Sequence, residues 1–419
     1  MASTGLSKTF SSSPTNNKKG TMSFWMKKSA VSSGQQAGLL VAGASGGTAG
    51  LYFDGDGKLY WYLAYTGSWQ GSYTTNRQFR DPNSWYHIVQ SWDTTQSTES
   101  ERMKLYVNGV QETSFSSISY PPQNQVTTFG NATAHYINYW GNASYFDGSM
   151  SHFHYTDGYA YAASDFGSFD STTGEWKINT NPSVTYGTNG FWILKDGMSL
   201  TDASPNSNDW AVSTGTLTKT EDNPSNVFAT INPIDNYYNN LTITNGNTSW
   251  VSTSPYSVTR STLGASSGKY YFEMKVVNEG NTDYEFGIVG AAATSTSSWM
   301  GSSGSYGYAY ESNAELRANG TTVDPWGSTY DDGDILGCAF DLDNNKIYFS
   351  KNGSWQESGD PSSGSNGYTI IAAADTPAGA YFVGAGDFSG SAGQSGQFNF
   401  GNGYFGTTAI SSEGTNASG

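Results

Sequence analysis

A single cysteine, Cys338, stands in 419 residues. That excludes an intrachain disulfide and any zinc site built on cysteine. Four histidines supply little imidazole for a metal centre. Leucine occurs 15 times and glutamate 12 times, too few good helix formers for a helical protein. No apolar run approaches the ~20 residues of a membrane-spanning helix. Charged residues make up 13%, against an ordinary share of about a quarter. Basic ones are the minority, 19 Lys+Arg against 35 Asp+Glu, for a net charge of −16. The densest basic pairs, Lys18-Lys19 and Lys27-Lys28, are thin for displacing counterions from nucleic acid or anionic lipid. The expected partners are therefore neither nucleic acid nor membrane but neutral molecules such as sugars. Met1-Ala2-Ser3-Thr4 opens no basic stretch with an apolar core behind it, so no secretory signal is expected. The chain is expected to be made in a cytoplasm and to stay there or leave inside a larger particle.

What the chain has is glycine, 51 residues, and aromatics, 15%, with 29 Tyr, 21 Phe and 13 Trp. Disordered chains lack such aromatics. Short aromatic and β-branched runs alternate with Gly, Asn, Ser and Asp turns, which predicts an all-β protein. Leu51-Tyr52-Phe53, the turn Asp54-Gly55-Asp56-Gly57 and the run Lys58 to Leu63 read as a hairpin. Trp85 to Trp92 reads as a strand, and Met103 to Val107 as a strand entering the tight turn Asn108-Gly109. Met150 to Tyr155 alternates with period two, which makes His152 and His154 a solvent-facing polar stripe. The proline- and asparagine-rich stretch around Pro205, Pro224 and Pro233 reads as a connector. The expected organisation is a β domain over 1–200, a connector over 201–235, a second β domain over 236–406 and a loose tail over 407–419.

The first domain resembles the concanavalin A-like lectin and laminin-G family. Met22-Ser23-Phe24-Trp25-Met26-Lys27, Trp85-Tyr86-His87-Ile88-Val89, Met103 to Gly109, and Phe146 to Met150 with Phe153-His154-Tyr155 carry the likeness in order. Ala163-Ser164-Asp165-Phe166-Gly167 follows in the expected place. The second domain resembles SPRY domains. The signal is Gly268 to Met274, Phe286 to Gly290, Tyr306-Gly307-Tyr308, the long run Asp332 to Asp343, Ile347 to Gly353, and Gln397 to Gly401. Both resemblances imply antiparallel β-sandwiches of jelly-roll type, and SPRY domains are binding modules. The tandem as a whole resembles proteins of tailed bacteriophages, especially marine ones. That resemblance implies a virion component at the particle surface, a tail fibre, tail appendage or head-decoration protein. Its implied partners are a host cell-surface glycan and other virion proteins, with several copies per particle.

Chemistry is sparse. A glucanase on a concanavalin A-like fold needs two carboxylates flanking the scissile bond. No Glu-x-Asp-x-x-Glu run occurs, and Glu99/Glu101 and Glu311/Glu315 sit in polar, turn-like contexts, so no catalytic residue is expected. No cofactor is expected either, with calcium the one alternative. Asp54 and Asp56 offer hard oxygen ligands, as does Asp341-x-Asp343-x-Asn345. Turn chemistry accounts for the same aspartates. Cys338 reads as a small core residue.

Aromatics are the functional question. Trp25, Trp85, Tyr106, Tyr271 and Phe340 lie in strand patterns and are expected in the core. Trp69, Tyr73, Tyr139, Trp140 and Tyr145 in the first domain lie in turn-like contexts, as do Trp299, Trp326 and Tyr330 in the second. These eight are the candidate glycan-binding residues, since sugar rings stack on aromatic faces and loops carry binding sites. Contact with a neighbouring domain or subunit is the alternative duty of the same side chains.

Overall fold

The structure is a computed structural model. It describes residues 4–29, 36–43, 49–65, 68–138, 145–195, 197, 199–220, 222–234, 241–280, 283–291, 299–388 and 392–411. The chain is all-β, with four single-turn 3₁₀ segments among the described residues. It divides into two compact units, Met1–Val227 and Phe228–Gly419.

The first unit stacks two antiparallel sheets. One runs Phe115–Ser119, Ser68–Gln78, Lys58–Tyr65, Ala49–Phe53, Gln36–Ala42, Ala134–Ile137, Gly5–Thr9, Ala211–Thr214. The other runs Phe191–Ile193, Gly148–Asp157, Lys19–Lys28, Tyr86–Asp93, Met103–Val107, Val110–Gln111. Alternate residues of each strand fill the space between, which is why apolar side chains recur with period two. Met22, Phe24 and Met26 meet Leu59, Trp61 and Leu63 in one core cluster. Trp61 lies 5.2 Å from Phe129, nearly parallel at 3°, and 5.7 Å from Trp92.

The other face of the Lys19–Lys28 sheet is also buried, and chain order explains it. Residues 158–190 cross it as a strap that contains the pair Gly167–Phe169 and Trp176–Ile178. Ala163 and Phe166 of the strap close over Val89, with Tyr106, Tyr161, Trp176 and Val184 around them. Trp176 lies on the Asn108-Gly109 turn, where a Cβ at Gly109 would come within 2.2 Å of the indole. Gly109 also has φ +79°, so the turn needs glycine twice over.

Two expectations change here. The stretch 201–235 is not a free connector. Trp210 is buried in the first core, Ala211–Thr214 pairs with Gly5–Thr9, and Asp222 forms a buried ion pair with Lys27 at 2.9 Å. Ile231, by contrast, belongs to the core of the second unit. Nor are His152 and His154 solvent-facing, since both are buried. The register breaks between Ser151 and His154, and His152 has φ +48°, so the simple alternation fails at that bulge.

The second unit repeats the two-sheet plan. Its larger sheet runs Leu241–Thr244, Ser249–Ser252, Ser395–Asn399, Lys269–Asn278, Ile335–Asp341, Lys346–Lys351, Ser354–Trp355, with Tyr368–Thr369 also on Lys346–Lys351. The smaller runs Gly264–Ala265, Tyr381–Asp387, Tyr284–Val289, Tyr308–Glu311, Leu316–Ala318, Thr321–Val323. Phe272, Met274 and Val276 point inward against Phe286 and Ile288. Cys338 is buried among them, and burial pushes its thiol pKa up. The described part of the tail is not loose throughout, because Thr408–Ala409 pairs with Tyr404–Phe405.

Candidate functional site

The strand Lys269–Asn278 shows where an open surface lies. Phe272, Met274 and Val276 take the inner face, so Tyr271, Glu273, Lys275 and Val277 take the outer one. Tyr271 is 52% exposed, not core as its strand pattern suggested. The pattern set the strand but left its parity open, and a one-residue shift turns every side chain to the other face.

Register assembles the neighbours. Tyr271 stands opposite Ala339, and Glu273 stands opposite Gly337 on one side and Asn399 on the other. The Tyr271 hydroxyl donates to Glu273 Oε1 at 2.8 Å, and Asn399 Nδ2 donates to Glu273 Oε2 at 3.3 Å. Trp355 meets Tyr271 edge to face, with centroids 6.1 Å apart at 65°. Tyr348 stands behind Trp355 at 6.5 Å, buried, and its hydroxyl has no hydrogen-bond partner among the described residues. The floor must stay low, because a Cβ at Gly337 would lie 2.6 Å from the Tyr271 hydroxyl. Desolvation and then the Glu273 carboxylate raise the Tyr271 pKa, so its hydroxyl remains a proton donor at neutral pH. One open aromatic ring thus lies beside a carboxylate acceptor, an amide and a hydroxyl. Such a face can stack on an apolar ring surface and exchange hydrogen bonds with hydroxyl groups.

The structure places the eight sequence candidates differently. Tyr73 is in the core, its hydroxyl donating to Gln90, so it is unavailable to a ligand. Trp326 is core as well, edge-on to Phe349 at 5.6 Å and to Tyr310 at 5.3 Å. Tyr330 is core, its hydroxyl 2.7 and 2.9 Å from the carbonyls of Tyr284 and Tyr310. Tyr73 lies on the inner face of the strand Ser68–Gln78, and Trp326 and Tyr330 lie in loops that fold inward onto the sandwich. Tyr145 is half-buried against the first core, 3.4 Å from Thr214 Oγ1. Trp299 is half-buried over Phe388 at 4.4 Å. Tyr139, Trp140 and the side chain of Trp69 lie outside the described residues. Among the described residues, nothing brings the candidates into one site.

The aspartates of the calcium alternative serve their own turns. Asp54 Oδ1 accepts the backbone N–H groups of Asp56 and Lys58, at 3.0 and 2.8 Å, while Asp56 is exposed. Asp341 likewise accepts from the backbones of Asp343 and Asn344. No group of three or more His, Cys, Asp or Glu placed to hold a metal occurs among the described residues.

Two buried polar groups were missed. Under the strap, His87 Nδ1 accepts from Trp176 Nε1 at 3.0 Å. Indole N–H only donates, so the ring proton sits on Nε2 and is given to Ser23 Oγ, 2.9 Å away. His87 therefore ties sheet to strap and has no free base to offer Ser23. Desolvation lowers its pKa to about 3. In the second unit Glu285 and Glu311 stand opposite each other across two strands, both fully buried. Arg317 reaches Glu311 at 2.8 Å and Glu315 at 2.7 Å, while Met300 N–H donates to Glu285 at 2.8 Å. Desolvation, then mutual repulsion, lifts Glu285 to about 8, and desolvation lifts Glu311 to about 7. Glu311 is thus a core strand residue and not part of a turn. Its only sequence signal was the cross-strand partner, which local patterns do not reveal.

Comparison with known proteins agrees with the two-part organisation. Residues 3–158 match the family model of the concanavalin A-like lectin/glucanases superfamily, and residues 269–403 match that of the SPRY domain. The chain therefore carries a concanavalin A-like region followed by a SPRY domain. Ran-binding protein 9 of Danio rerio is 33% identical over 92 residues, 22% of this chain and 15% of that protein. Ran-binding protein 9 of Homo sapiens is 34% identical over 92 residues, 22% of this chain and 12% of that protein. The match thus spans less than a fifth of either relative's length. Among solved structures, the SPRY domain of human HERC1 aligns with a TM-score of 0.32 and 17% identity, over 40% of this chain and 96% of that one. A SAP-like pentraxin from Limulus polyphemus aligns with a TM-score of 0.31 and 13% identity, over 51% and 90%.

Proposed function

We propose that the chain is a surface protein of a virus particle that adheres to neutral glycans of the host envelope. Its SPRY unit makes the contact on the Tyr271 face. One observation carries this reading: Tyr271 is 52% exposed on an open sheet face, beside Glu273, Asn399 and Trp355. The particle assignment rests on the order of the two modules, which resembles that of tailed-phage proteins. The −16 charge turns the protein from phosphate-rich partners towards uncharged ones. A stacked aromatic is worth ~1 kcal/mol. One site then binds near millimolar, where Kd of about 1 mM corresponds to about −4 kcal/mol. Adhesion comes from many copies, since linked sites gain avidity without new contacts.

The test is a glycan array probed with the full chain clustered on beads, followed by host adsorption. Tyr271→Ala and Trp355→Ala lose most of the bound signal, and Tyr271→Phe keeps most of it. Retention of a host protein in place of any neutral glycan overturns the ligand class. Absence of the chain from purified particles by mass spectrometry overturns the particle assignment.

A further inference from the structure

We infer that the strap 158–190 is an acid-released latch. It is fastened to the sheet beneath it through two imidazoles, His87 and His154, and lifts from a folded sandwich when both take up a proton. Three aromatic side chains of the strap rest on these two rings. Trp176 stacks on His87, with centroids 5.9 Å apart at 18°, and donates its indole N–H to Nδ1 at 3.0 Å. Phe166 lies 5.3 Å from the His154 ring. Tyr186 stacks on His154 at 6.1 Å and 21°, its hydroxyl 2.9 Å from Nδ1. On the sheet itself, Trp25 stacks on His87 and Trp192 on His154, each at 4.8 Å. Each imidazole thus meets an aromatic of the sheet and an aromatic of the strap, and both are buried.

The surroundings decide what a proton does there. His87 Nε2 already gives its proton to Ser23 and Nδ1 receives the indole's, so a proton added to Nδ1 meets a donor and displaces Trp176. No carboxylate acts on either ring among the described residues, and His152, His87 and Lys195 each oppose a charge on His154. The charges of the neighbouring strands are paired with one another, Lys27 with Asp222, Lys19 with Asp93 and Lys104 with Glu101. On the strap, Asp165 accepts the Ala162 N–H, Lys177 pairs with Asp170, and Glu175 is exposed. Asp202 accepts the Trp192 N–H. Burial, then Asp202 and Tyr161, raise the Tyr186 pKa, so its phenol stays protonated. With the strap closed, a proton therefore finds no counter-charge, and desolvation holds both histidines below their ordinary range. With the strap lifted, water solvates the rings and they titrate near 6.5. Below that pH opening takes up one proton per histidine. Its equilibrium constant then rises about tenfold per pH unit for one histidine and about a hundredfold for two. The apolar contacts under the strap, Val89 with Ala163 and Phe166, form a cluster separate from the main core of the first unit. Lifting the strap leaves that core covered, which makes this a local opening. The latch does not depend on what the Tyr271 face binds.

Hydrogen exchange read by mass spectrometry on the full chain, corrected for the intrinsic pH dependence of exchange, measures the opening of 158–190 between about pH 6.5 and about pH 4.5. The expected result is a rise of about a hundredfold per pH unit in the strap, with no matching rise in Lys19–Lys28 or Tyr86–Asp93. His87→Gln, which keeps an acceptor for Trp176, cuts the rise to about tenfold per unit. His154→Gln does the same, and the double variant is nearly flat. Tyr186→Phe is milder: it loosens the strap at every pH and keeps the parent's slope. Circular dichroism at neutral pH confirms that each variant is folded, and where a histidine variant is not, the parent's slope and Tyr186→Phe decide. Strap and sheet opening in parallel in the parent would mean global unfolding and overturn the latch. A flat strap profile in the parent, or an unchanged slope in the folded histidine variants, would overturn it as well.

Discussion

The two units use one architecture and treat the outer face of a central sheet in opposite ways. In the first, the strap 158–190 roofs the Lys19–Lys28 sheet, and even Ser23, Trp25 and His87 are buried. In the second, the corresponding middle strand leaves Tyr271 half in solvent. Roofing converts strand polarity into internal hydrogen bonds such as Trp176 to His87; leaving a face open keeps the same kinds of groups for a ligand. The buried titratable groups differ too. All four histidines lie in the first unit and are buried, whereas the second unit buries two glutamates opposite each other, Glu285 and Glu311. The two units are therefore expected to respond to acid in opposite ways.

The largest effect expected is at the buried ion pair that fastens the end of the first unit. Lys27→Ala removes the cation from a buried pair, a loss of about 3–5 kcal/mol. Calorimetry should show the transition of the first unit falling while that of the second stays in place. Equal falls in both would remove the independence on which the comparison depends.

Next comes pH. Burial lowers His87 to about 3 and His135 to about 4. Their stabilising contribution is complete above the ordinary histidine range near 6.5 and is lost as pH falls towards those values. Glu285 and Glu311, raised to about 8 and about 7, act in the opposite sense. Their contribution is complete below about 4.5 and is lost as pH rises to about 8. At about 1.4 kcal/mol per pH unit for each full proton, the swing amounts to a few kcal/mol. The first unit should melt earlier at pH 4 than at pH 7, and the second earlier at pH 8 than at pH 5. Glu311→Gln should flatten the second profile alone. Parallel profiles would contradict the contrast.

A smaller effect is expected at the roof. Trp176→Ala leaves His87 Nδ1 without its donor, a cost of about 1–3 kcal/mol to the first unit. Hydrogen exchange should quicken in 158–190 before the sheet itself. Smallest of all is the open face, where Tyr271→Ala should change stability by no more than about 0.5 kcal/mol.

Much of the architecture was legible locally. Asn108-Gly109, the Asp54–Gly57 turn and the runs around Phe24, Ile88 and Cys338 announce strands and hairpins through neighbouring residues alone. What was not legible depends on distant pairing. Ala211–Thr214 reads as loop until it meets Gly5–Thr9 at the other end of the unit. His152 reads as a stripe residue until the bulge turns it inward. The candidate site was half legible: Phe272, Met274 and Val276 were available to fix the parity of Tyr271, but only the sheet on one side shows which set faces the core. Trp355 and Asn399 join Tyr271 from strands far along the chain, and no local pattern links them.

The central claim is that the open face of the second unit, and not the roofed face of the first, engages a neutral glycan. Saturation-transfer NMR on the full chain, with a neutral oligosaccharide retained on the array, tests it most directly. The account predicts transfer to the sugar's C–H protons in the parent, a marked loss in Tyr271→Ala and recovery in Tyr271→Phe. Undiminished transfer in a folded Tyr271→Ala, Trp355→Ala variant, together with loss in a Trp176→Ala variant, would contradict it.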